Sequence, residues 1–106
     1  MRKTILSIFL TILSLNTFAQ ADSEKRANAL TEKMTKALSL TKEEQSKVYE
    51  IQLKRFHEVA IIRSTYAEDL ETKKAELKKV YNRLSGKLKS ALGKDKMKEW
   101  RTYKQK

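Results

Sequence analysis

Few residues in this chain are equipped for chemistry. His57 is the single histidine and cysteine is absent, so a zinc site, which gathers Cys or His from several positions, lacks its ligands. The adjacent carboxylates Glu43-Glu44 and Glu68-Asp69 are the pairs that could divide acid and base roles. Each stands where a helix is expected to begin, and the positive end of the helix dipole already accounts for acids there. No nucleophile stands beside a base, and with only Gly86 and Gly93 there is no glycine-rich phosphate loop. The inventory argues against an enzyme, a metal site and a cofactor. His57, between Phe56 and Glu58, reads as a surface or packing histidine.

Cationic charge is the stronger signal. The chain carries 24 Lys and Arg against 13 Asp and Glu, a formal net charge of +11. Residues 22–79 are nearly balanced, with 13 basic and 11 acidic side chains, whereas residues 80–106 hold nine basic and two acidic ones. That last quarter is interleaved with Tyr81, Trp100 and Tyr103, and a second cluster, Lys54, Arg55 and Arg63, lies beside Phe56 and Ile61. Charge steers encounters with anionic partners and apolar contacts then hold them. Lys54, Arg55, Phe56, Arg63, Trp100, Arg101 and Tyr103 are therefore the expected binding surface. Three plainer readings compete with it: a solvated basic tail, a dimer interface around Phe56 and Ile61, and Met97, Trp100 and Tyr103 as core that closes the end of a bundle.

The elements that must position these residues are helical. Beyond residue 21 there is no Pro and only the two Gly, and Lys, Glu, Leu and Ala dominate, a composition with little to build strands or tight turns. Ala27, Leu30, Met34 and Leu38 predict a helix over about 23–38. Thr41 and Glu44 form a capping-box pair that starts the next one. Val48, Val59, Leu70, Tyr81 and Leu92 then recur every eleven residues, beside a second row through Ile51, Ile62 and Leu84 and a third through Tyr66, Leu77 and Leu88. An eleven-residue repeat suits one straight helix. A hairpin broken near Ser64–Asp69, where Asp69 could start a new helix, lets a small chain bury its own stripe and is favoured. Gly93 after Leu92 marks a helix end, and Met97, Trp100 and Tyr103 share neighbouring faces of a last segment. The expected fold is all-α: a short N-terminal helix, a long helical hairpin (or one very long helix), and a short C-terminal helix.

The N-terminus sets the expected compartment. Met1-Arg2-Lys3 is basic, Ile5 to Leu15 is a short apolar run, and Thr17-Phe18-Ala19-Gln20-Ala21 supplies small residues at cleavage-site spacing. This is the layout of a secretory signal peptide, too short to span a bilayer, which takes about 20 residues. Cleavage after Ala19 and after Ala21 both fit, and the lack of Cys excludes a lipid-anchored form. Residues 1–21 are thus read as the signal peptide and 22–106 as a single helical domain. A core of this size supplies roughly 3–5 kcal/mol, and without disulfides self-association is the remaining support. An antiparallel homodimer is expected.

Leu40-Thr41-Lys42-Glu43-Glu44-Gln45 opens the long helical region, and Leu92-Gly93-Lys94-Asp95-Lys96, followed by Met97 and Trp100, closes it. The layout resembles the Spy/CpxP-like, LTxxQ-motif family of small periplasmic proteins. The resemblance assigns motif roles to Leu40, Thr41, Glu44, Gln45 and Leu92: Leu plugs the core at a bend, Thr caps the next helix, and Gln satisfies nearby backbone groups. The first motif here has one extra residue before Gln45, and in the second Gly93 and Lys96 stand in place of Thr and Gln. The resemblance implies a periplasmic, ATP-independent chaperone that binds unfolded or partly folded envelope proteins as a dimer. Two alternatives stay open: an adaptor of an envelope-stress sensor, and a structural cationic protein on anionic envelope polymers or lipids. Export argues against nucleic acid as partner.

Overall fold

The computed structural model describes the backbone of residues 2–105 and the side chains of residues 20–105. Among the described residues there are four helices: α1 (Arg2–Leu38), α2 (Lys42–Thr65), α3 (Leu70–Leu92) and α4 (Lys94–Lys104). The fold is all-α, and the hairpin, not the single long helix, is the arrangement of residues 42–92. The first helix is not short: α1 runs without interruption upstream of Ser23, through Ala19 and Ala21. The signal-peptide reading rests almost wholly on side chains outside those described. No described helix is long and apolar enough to cross a membrane.

Each boundary follows from local chemistry. α1 ends because Ser39 takes the left-handed conformation (φ 52) and the Leu40 amide donates back to the Thr35 carbonyl at 3.3 Å, the six-to-one bond of a Schellman ending. Thr41 starts α2 two residues later. Its Oγ1 accepts from the Glu44 amide at 3.1 Å, and the Thr41 amide donates to Glu44 Oε1 at 3.0 Å. The hairpin bend needs neither Gly nor Pro. The Tyr66 amide still donates to the Ile62 carbonyl, the Asp69 amide donates to the Tyr66 carbonyl, and the Asp69 carboxylate accepts from both the amide and the hydroxyl of Thr72. A single Asp thus replaces the usual breaker by occupying orphan donors of the next helix.

The bend also explains why one expected row fails. The eleven-residue row assumes a continuous phase from Val48 to Leu92, but the chain reverses at residues 66–69. Leu70 is 67% exposed and Tyr81 57% exposed. The buried stripe of α3 is instead Val80, Leu84, Leu88 and Leu92, a strict four-residue spacing.

α2 is the central helix. α1 packs on α2 and α4, and α3 packs on α2 and α4, while α1 and α3 do not approach each other along their backbones among the described residues. The gap between them closes at one end only. There α4 lays Met97 and Trp100 into a core with Met34 and Leu38 of α1, Leu40 in the α1–α2 turn, Val48 of α2, and Leu84, Leu88 and Leu92 of α3. Trp100 is 4% exposed.

The turn that swings α4 back over the bundle depends on Gly93, at φ 88 and ψ 165. That region is essentially restricted to glycine, although a Cβ there would meet no atom within 4 Å. Gly86 lies inside α3 with equally open space around it and no such backbone demand. The same substitution therefore has opposite signs at the two glycines. Gly93→Ala is expected to destabilise by about 1–3 kcal/mol, and Gly86→Ala to stabilise by about 0.5–1 kcal/mol. Urea denaturation followed by far-UV circular dichroism reads both.

Candidate functional site

Away from α4 the gap between α1 and α3 stays open over α2. The result is a groove of about 700 Å³. Its apolar lining comes from Phe56, Val59 and Ala60 of α2 and from Leu77 and Val80 of α3. These positions continue the faces that are buried nearer α4: Val59 follows Val48 by three helical turns, and Val80 precedes Leu84 by one. The groove is thus the continuation of the core stripe past α4, with Val80 still buried and Phe56, Val59, Ala60 and Leu77 half-buried. Around it stand Arg26 of α1, Arg55 and Arg63 of α2, and Lys74 and Lys78 of α3, with Asp22 and Tyr81 completing the wall.

Arg55 is the distinctive group. Its side chain is half-buried, and burial lowers its pKa from the ordinary value, an effect the nearby Tyr81 partly offsets. The guanidinium remains charged at any physiological pH. It lies 4.2 Å from the centroid of the Phe56 ring, a cation–π contact, and donates to Gln52 Oε1 at 3.4 Å. Gln52 is itself 1% exposed and turns its amide nitrogen to the Met34 sulfur at 3.7 Å. Among the described residues Arg55 meets no carboxylate, whereas Asp22 in the same groove is taken by Arg26 at 2.9 Å. A partly desolvated, preoriented cation without an acid partner is arranged to receive an anionic group.

The expected binding surface is divided by the fold. Arg55, Phe56 and Arg63 line the groove. Lys54 faces a second, smaller depression that adjoins the groove along α2 and α3: the two share Arg55 and Val80, and the second adds Ile51, Glu58, Arg83 and Leu84, where Arg83 donates to Glu58 at 2.6 Å. Trp100 is core and leaves the surface altogether, because α4 turns its apolar side into the bundle. Tyr103 stacks on Trp100 with ring centroids 5.5 Å apart, and Arg101 is exposed on α4 at the other end of the molecule. Sequence reasoning missed Gln52, Arg26, Lys74 and Lys78. Gln52 had a readable signal: it is a polar residue four positions after Val48, on the buried face.

The motif residues hold the bend at the closed end. Leu40 is buried, Gln45 donates from its amide to the Leu40 carbonyl at 3.1 Å, and Leu92 is core. Lys96, standing where the second motif would carry Gln, donates to both oxygens of Glu44 at 2.6 and 2.8 Å. One carboxylate thereby closes the capping box of α2 and ties α4 to it. Hydrogen bonding from Lys96, with the Thr41 amide second, holds Glu44 below the usual carboxylate range. The Asp69 carboxylate is held down in the same way by Thr72. Both carboxylate pairs therefore have a helix-starting residue. No cluster of three His, Asp or Glu at metal-binding distance occurs among the described residues.

A family model described as a domain of unknown function, DUF4890, matches residues 16–100. The chain belongs to the DUF4890 family. The matched span takes in the groove and the Met97–Trp100 plug of this DUF4890 protein, and ends at Trp100. No curated protein and no solved structure matches the chain.

A carboxylate whose folded pKa is depressed contributes stability that is present above its ordinary value of 4.5 and lost as pH falls through the lower folded value. Glu44→Gln should therefore weaken the protein at neutral pH and flatten its acid unfolding curve below about pH 4.5. Lys96→Met should reproduce much of that flattening. Denaturation midpoints measured from pH 3 to 7 check this, and curves parallel to the parent's would contradict it.

Proposed function

We propose that this DUF4890 protein is an exported, ATP-independent, chaperone-like binder of unfolded envelope proteins, acting without catalysis. The observation that carries the reading is the groove: an apolar floor with a cationic rim, at whose centre Arg55 lacks an acid. An extended segment alternating apolar and acidic side chains fits it. The apolar groups replace water on Phe56, Val59, Ala60 and Leu77, and a carboxylate joins Arg55 or Arg63. A shallow groove with long flexible Lys side chains at its edge accepts many such segments, since little in it demands one shape. The secretory layout of residues 1–21 and the resemblance to the Spy/CpxP-like family support the same reading, with the periplasm as compartment.

A homodimer is part of the proposal. The second depression carries both signs of charge, Glu50 and Glu58 beside Lys54 and Lys87, around Ile51 and Leu84, and a two-fold contact requires a self-complementary patch of that kind. An ultracentrifuge run at equilibrium that returned only monomer at micromolar concentration would count against this part alone.

The functional test is light scattering from an acidic client as it unfolds, without nucleotide. The protein is expected to suppress aggregation at near-equimolar ratio, and the Arg55→Gln/Arg63→Gln variant to need several-fold more protein for the same effect. High salt should weaken suppression because the rim charges are screened. Unchanged client scattering at tenfold excess of folded protein would refute the proposal.

A further inference from the structure

The groove does not use the most basic part of the chain. Residues 80–106 hold nine of the cations. Arg83 is paired with Glu58 and Lys96 with Glu44, but no ion pair engages Lys94, Lys98 or Arg101 among the described residues. At about 100° per residue, positions 94, 98 and 101 fall on one stripe of α4, Asp95 falls about a quarter-turn from it and Glu99 more than a third of a turn. All three cations are exposed. The helix that carries them is already fixed, by Met97 and Trp100 in the core and by the Lys96–Glu44 bond. None of the grooves described above takes a residue from α4. The stripe is therefore a row of charge on the convex surface of a fixed helix, outside both grooves.

We propose that this face of α4 docks on a membrane surface bearing anionic phospholipid head groups. A convex row cannot enclose a single anion, but it can lie against a plane of phosphates, each cation adding an independent and screened attraction. The apolar side of α4 is spent on the protein core, so attachment is electrostatic and without insertion, unlike that of an amphipathic helix that buries its apolar face in lipid. This site is independent of the groove, and either reading can fail alone.

The test is co-sedimentation of the full chain with vesicles of phosphatidylcholine alone or mixed with phosphatidylglycerol. Two variants with the same net charge are compared, Lys94→Gln/Lys98→Gln/Arg101→Gln on α4 and Lys25→Gln/Lys33→Gln/Lys36→Gln on α1. Both retain residues 1–21, so any apolar binding through that segment is common to them. Circular dichroism confirms that both fold. The expected result is a preference for the anionic vesicles at low salt that drops about tenfold or more in the α4 variant and much less in the α1 variant. Equal losses in the two variants would reduce the effect to net charge and overturn the proposal. So would the absence of any anionic preference in the parent, or binding to soluble polyphosphate without binding to the vesicles.

Discussion

Everything in this molecule depends on how α4 fills the space between two helices whose backbones do not approach each other among the described residues. α1 and α3 flank α2 like the two sides of a trough. Met97 and Trp100 occupy the trough at one end and turn it into a core. A chain this small has only a few kcal/mol to lose, and truncating a buried Trp costs about 3–5 kcal/mol. The closed end is therefore where much of the stability resides, and towards the open end the same apolar stripe is only partly covered, with Val80 buried and Phe56, Val59, Ala60 and Leu77 half-buried. One short helix divides the closed half of the bundle from the open half.

The bend chemistry serves that division. Glu44 caps α2 and holds Lys96 with one carboxylate, so the start of the central helix and the placement of α4 are the same interaction. Gly93 supplies the backbone conformation that brings α4 back. The exposed pairs along single helices, such as Lys36 with Glu32 and Lys47 with Glu43, contribute little by comparison, because exposed ion pairs are worth a few tenths of a kcal/mol.

The boundaries at Thr41, Asp69 and Gly93 were legible in the residues because their causes are local, whereas the start of α1 was not: the apolar stripe marked a helix from about residue 23, and α1 runs from Arg2. Thr41 and Glu44, Asp69 with Thr72, and Gly93 each act within four positions of the boundary they set. The stripes were legible only within a helix. Val48 and Val59 share a face as the periodicity implied, but Leu70 and Tyr81 fell out of the row once the chain reversed, since a reversal resets helical phase. The groove was half legible. Arg55, Phe56 and Arg63 stood out as a basic and aromatic cluster, whereas Arg26, Lys74 and Lys78 join them only through tertiary packing that no spacing encodes. Trp100 illustrates the ambiguity of an aromatic among lysines: the surface reading and the core reading fit the sequence equally, and packing decides for the core.

The central proposal is that the partly covered stretch of the α2–α3 stripe is where this protein meets its clients. Hydrogen–deuterium exchange of the protein, alone and with a soluble, permanently unfolded acidic client, tests it most directly. The account predicts added protection over residues 55–63 and 74–81, with residues 94–104 unchanged. Protection confined to α4, or none anywhere at saturating client, would contradict it.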